Sequence, residues 1–197
     1  MTYDTRKIYH GTQEVTYGST SDELPVVYST GVTSFAPSVD QDSKDVYADA
    51  RTHMTLLNAK VLTIDIGNYQ YTKQEMEQMG YKSVGDGFVD SGINPVFSIQ
   101  RILEVQDETG ATTKKLEVYY DCKSSAYSES DDEDEDEINP KEYTRTLSVA
   151  GHDFGGNIGV VKQFIVEETK ENADKFEQYK TKLMLPTDFE GTPSKAG

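Results

Sequence analysis

The chain is 197 residues long, enough for one well-buried core with extended arms. Its 35 acidic and 19 basic side chains give a formal charge of -16, which argues against wrapping a nucleic acid, because that requires clustered Lys and Arg to displace counterions from phosphate. The single cysteine, Cys122, excludes an intrachain disulfide and a cysteine-based metal site.

The N-terminus lacks the apolar stretch of a signal peptide, and no window is long and apolar enough to span a bilayer. A soluble protein made in the cytoplasm, with no membrane partner, is expected. Residues 1–35 mix short apolar alternations, at 13–17 and 24–28, with turn residues, which predicts an N-terminal arm leading into edge strands. From Ala36 to Thr52 the chain is polar and carries no period, so a long loop is expected there; such a loop in a compact domain is commonly functional. Lys60 to Gly67 places Leu62, Ile64 and Ile66 on one face, the pattern of a half-buried strand. Thr72 and Glu75 then have capping-box spacing, Met76 and Met79 share a face, and Gly80 supplies a left-handed stop, predicting a helix of about two turns. So short a helix must lie against a sheet.

Val96 to Val105 and Lys115 to Cys122 read as a hairpin turning near Thr109 and Gly110, with Leu116, Val118, Tyr120 and Cys122 alternating with polar partners. Between this hairpin and the next strand lies an acidic run, 128–137, in which Glu129, Asp131, Asp132, Glu133, Asp134, Glu135, Asp136 and Glu137 supply half of the net charge. Carboxylates so crowded repel one another too strongly to enter a core, so a solvated loop is expected. Tyr143, Arg145, Leu147 and Val149 share a face of the following strand, 143–150. A Gly-rich turn leads to another alternating stretch, Val160 to Glu167. Ala173, Phe176, Tyr179 and Leu183 then recur at helical spacing within 170–183, predicting a second amphipathic helix before a polar tail. One domain over 1–183 and a tail over 184–197 are expected.

No catalytic constellation emerges. His10, His53 and His152 lie in unrelated contexts without metal-ligand spacing. The glycines of 152–159 lack the Gly-Lys-Ser/Thr ending of a phosphate loop and read as a turn. The acidic run lacks the ordered spacing of a calcium loop, and there is no Trp to stack a sugar. The thirteen tyrosines suit sheet packing and subunit contacts. Neither an enzyme nor a cofactor is expected.

The polar stretch 34–49 ending in Tyr47, Ala48 and Asp49, the strand at 60–67, the capped helix ending at Met79, Gly80 and Tyr81, and the segment 86–99 leading to the Tyr119–Tyr120 strand occur in this order. In that order the chain resembles the major tail proteins of long-tailed, non-contractile bacteriophages, the subunits of the tail tube, over roughly residues 1–170. The resemblance implies a mainly β fold: a tail-tube-type β-sandwich or barrel with a short flanking helix, a long inter-ring loop and terminal arms. It further implies a structural virion protein of the tail, forming hexameric rings that stack into a conduit for genome ejection. DNA would pass through the lumen without specific binding, and the partners would be further copies, the tape measure, the tail terminator and the distal tail protein. Asp45, Tyr47, Asp49 and Arg51 are then the inter-ring contact candidates. The acidic run is longer than the family pattern leads one to expect, and an outer rim is the expected position, since a narrow lumen would crowd its charges. The alternative is a monomeric cation- or carbohydrate-binding β-sandwich that uses the acidic loop.

Overall fold

The computed structural model describes residues 7–20, 27–29, 31–48, 51–129 and 141–189. The chain opens with β1 (Lys7–Gly18) and its short partner β2 (Val27–Ser29). β3 (Val32–Asp40) runs into a hairpin of β4 (Ser43–Ala48) and β5 (Arg51–Leu57), and β6 (Val61–Asn68) returns beside β3. Helix α1 (Lys73–Gln78) and a hairpin of β7 (Tyr81–Val84) and β8 (Gly87–Asp90) follow. The long central hairpin is β9 (Phe97–Asp107) and β10 (Thr112–Ser124). β11 (Ser128–Glu129) and β12 (Tyr143–Val149) flank the acidic run. The last elements are β13 (His152–Asp153), β14 (Val160–Val161), β15 (Gln163–Glu167), α2 (Ala173–Phe176), and 3-10 turns at Glu177–Lys180 and Pro186–Phe189.

The main sheet is antiparallel with strand order β2-β1-β9-β10-β12-β6-β3, and β11 and β15 pair beside β12 and β10. It curls on itself. Although β3 is an edge strand, Phe35 packs against Tyr119 of β10 at 5.8 Å, and the Arg101 guanidinium of β9 lies 4.4 Å over the Phe35 ring and donates to the Phe35 carbonyl. The curl encloses a core that includes Val15, Tyr17, Ile64, Ile66, Ile99, Tyr119, Cys122 and Leu147. On the other face of β9 and β10 a second core gathers Ile102, Leu116, Val118 and Tyr120 under Phe176, Tyr179, Leu183 and Met184. The mainly β, sandwich-like architecture with one short flanking helix agrees with expectation.

Several elements depart from the sequence reading, each for a local reason. Most described residues of the stretch expected to be a loop, 36–52, are strand: they form the end of β3, then β4 and the start of β5. β3 is mostly exposed, and the described positions of β4 are exposed too, so neither shows an inside–outside alternation to read. β1, expected to lead to an edge, lies one strand inside it and buries Val15, Thr16 and Tyr17. Alternation in β10 breaks at a bulge between Tyr119 and Cys122, where Asp121 takes a positive φ of 50°. That extra residue turns Cys122 away from the Leu116, Val118 and Tyr120 face and into the first core. The predicted strand at Val160–Glu167 is divided: β14 pairs with β13, and β15 pairs with β10.

The predicted helix over 170–183 is a single α turn followed by a 3-10 turn. Its apolar residues Phe176, Tyr179 and Leu183 are buried as expected, but the carbonyls of Tyr179 and Lys182 accept from the side-chain amide of buried Gln100. Met184 N–H donates back to Gln100, fixing this segment as an irregular lid. The residues expected to form a tail begin inside the second core, where Met184 is fully buried and Phe189 packs on Phe164 at 5.6 Å. Residues 190–197 lie outside the described residues.

Candidate functional site

The β3–β6 pair extends beyond the main sheet as a two-stranded ribbon. Register runs to Asp40 opposite Val61, Asn58 N–H then donates to the Asp42 carbonyl at 2.9 Å, and pairing resumes with Ser43 opposite Leu57. Of the four contact candidates, three are placed on this hairpin. Asp45 is exposed opposite Thr55, whose hydroxyl donates to it at 2.6 Å. Tyr47 stands in register with Thr52, and Arg51 with Ala48. Asp49 lies outside the described residues. The sequence reading missed the apolar side of the same element: Met54, Leu56 and Leu57 are 48%, 50% and 67% exposed, with Val39 and Val61 exposed at its root. Three large apolar residues within four positions of a polar stretch were the available signal.

The acidic run leaves from the other end of β6. Glu129 pairs with Tyr143, and Tyr143 pairs with Asn68, the last residue of β6, whereas the β4–β5 hairpin springs from Val61. The two features are separated by about 23 Å of strand at the usual rise. Ser128 and Glu129 form β11; Asp131, Asp132, Glu133, Asp134, Glu135, Asp136 and Glu137 lie outside the described residues. The root of the run is aromatic. Tyr71, Tyr127 and Tyr143 lie 5.6–5.8 Å from one another, Tyr81 meets Tyr127 at 6.3 Å, and the Lys141 ammonium stands 5.4 Å from the Tyr143 ring.

Behind this cluster a buried polar hub fixes α1 to both sides of the curled sheet. The capping box forms as predicted: the Thr72 hydroxyl accepts from Glu75 N–H, and Glu75 Oε2 accepts from Thr72 N–H at 2.8 Å. Glu75 is nevertheless fully buried. Its Oε1 accepts from Tyr17 of β1 at 2.8 Å and from Ser29 of β2, and lies 3.7 Å from Arg145 of β12. Arg145, 1% exposed, also donates to the Tyr17 oxygen at 2.6 Å and to Gln78. Burial raises the Tyr17 hydroxyl above its ordinary pKa, against the lowering field of Arg145, so it remains a neutral donor. An arginine on the core face of a predicted strand already signals a buried carboxylate partner, and Glu75, read only as a cap, is that partner.

A second ion cluster lies on β9 and β10. Glu117 accepts from Arg101 at 2.7 and 2.8 Å, from Tyr119 at 2.9 Å, and pairs with Lys115. Burial alone would raise the Glu117 carboxyl, but bonds from Lys115, Arg101 and Tyr119 outweigh it and hold it below the usual range. Both clusters are buried ion networks that join separate elements of the fold, although Arg145 Nε finds no hydrogen-bond partner among the described residues. Among the described residues, no three His, Cys, Asp or Glu side chains come together as a metal site. His152 bonds Asp121 at 2.8 Å beside the β10 bulge, and the glycines of 155–159 form a turn closed by Phe154 N–H to the Gly159 carbonyl.

The surface is thus distinguished by its projecting apolar hairpin and its tyrosine-rooted acidic run, carried on a sheet braced by buried ion pairs. No curated protein matches the chain. The family model described as phage tail tube protein matches residues 1–189, which includes the hairpin, the acidic run and the lid over the second core. The chain belongs to the phage tail tube protein family.

Proposed function

We propose that this structural tail protein acts as a hexameric ring subunit, and that rings stack into a tube through which DNA is delivered to the host. The observation that carries the reading is the β4–β5 hairpin: an element outside the main sheet that exposes Met54, Leu56 and Leu57 and whose described side chains enter neither core. Holding such apolar area in water has a cost that contact with a neighbouring copy removes. The edge strand β3 supports ring closure, since a nine-residue strand at a sheet border invites pairing with a neighbour. Asp45, Tyr47, Asp49 and Arg51 belong to the inter-ring contact in this reading. The acidic run occupies the outer rim, where salt screens its charges. The protein does no catalysis; it is made in the host cytoplasm and ends in the virion tail with the tape measure, terminator and distal tail proteins.

Negative-stain electron microscopy of the purified protein at rising concentration tests this. Rings and hollow tubes are expected. Monomers alone, even with other tail components added, would refute it.

A further inference from the structure

Ten of the sixteen exposed large apolar side chains among the described residues fall into two groups at opposite ends of β6. Val39, Met54, Leu56, Leu57 and Val61 belong to the β4–β5 hairpin and its root. Tyr69, Val84, Phe88, Val89 and Ile93 surround α1 and the β7–β8 hairpin beyond Asn68. Two unlike patches at opposite ends suit a heterologous contact, in which one end of a copy meets the other end of the next; an isologous contact would need only one patch.

The second end also offers a receptacle. An open groove of about 570 Å³ runs between α1 and β7, lined by Lys73, Glu77, Tyr81, Lys82, Ile93 and Pro95. Apolar Ile93 and Pro95, with Lys73 and Lys82 against one Glu77, complement a hairpin that exposes Leu56 and Leu57 together with Asp42 and Asp45 against one Lys44.

We propose that the β4–β5 hairpin of one copy seats its Met54–Leu57 arm in the groove between α1 and β7 of a second copy. This names the receiving surface for the ring stacking proposed above and rests on that reading. Each copy then carries one donor and one acceptor, and the contact propagates in one direction with a fixed polarity.

Thiol cross-linking between two single-cysteine-addition variants, Leu57→Cys and Ile93→Cys, tests the docking. Both positions are well exposed, at 67% and 69%, so neither change disturbs a core. The native Cys122 is fully buried, and burial pushes its thiol up to about 12, which keeps it from reacting with a short bis-maleimide. Mixing the two variants is expected to give a cross-linked dimer on a denaturing gel that neither variant gives alone. A dimer from Leu57→Cys alone would mean hairpin against hairpin and overturn the proposal. Sedimentation on the same samples separates the remaining failures. Assemblies without cross-link overturn the docking and leave ring stacking standing, whereas monomers throughout overturn both.

Discussion

Glu75 and Arg145 are the residues on which the internal architecture turns. Arg145 is 1% exposed and Glu75 fully buried, so removing either partner strands a charge away from water. Glu75→Ala is expected to lower stability by about 3–5 kcal/mol, read from urea unfolding followed by circular dichroism. A loss within the error of a surface substitution would show that the hub is hydrated and not braced. Glu117 gives the pH dependence. Its folded carboxyl is held below the ordinary value of 4.5, so its stabilisation is fully present above that value and is lost as pH falls through the lowered folded pKa. Urea midpoints should therefore drop between neutral pH and pH about 3, and the drop should be shallower in Glu117→Gln. At this scale the sequence made Arg145 readable as core-facing and Glu75 readable as a cap. Their meeting was not readable, because it joins β12 to a helix 70 positions earlier through the curl of the sheet.

Among the elements, β6, β12 and α1 were legible because each has one face in a core and one outside, or a cap with a fixed spacing, and the β9–β10 hairpin because its strands carry apolar residues for a core on each face. The β4–β5 hairpin was not, since its described side chains are all exposed and offer no inside–outside alternation. The C-terminal segment shows the opposite failure. Its helical period was correct for Phe176, Tyr179 and Leu183, but buried Gln100 takes the carbonyls of Tyr179 and Lys182. Gln100→Leu is expected to destabilise by about 1–3 kcal/mol, because these carbonyls and Met184 N–H would lose a buried partner. Thermal melts of the isolated protein would register it. The hairpin should behave in the reverse way. Leu57→Asp is expected to leave unfolding within about 0.5 kcal/mol of the parent while abolishing higher assemblies in sedimentation, since the side chain is exposed and touches neither core.

For the whole molecule, the two ends of β6 carry unlike features, an apolar projecting hairpin and the tyrosine-rooted start of the acidic run. The acidic run carries half of the formal charge of -16 and is flanked by β11 and β12. Replacing residues 130–137 with a short Gly-Ser linker is expected to leave ring formation intact, as seen by electron microscopy. Loss of rings together with loss of a bound cation in calorimetry would instead favour a cation-binding role for the run. The family resemblance was carried by the order of elements along the chain, which survives even where most described residues of the stretch 36–52, expected as a loop, are strand.

Cryo-electron microscopy of the assembled protein tests the stacked-tube function most directly. A hollow tube of hexameric rings is expected, with residues 43–57 of each copy crossing into the adjacent ring. Isolated single copies, or rings whose 43–57 hairpins remain within their own layer, would contradict it.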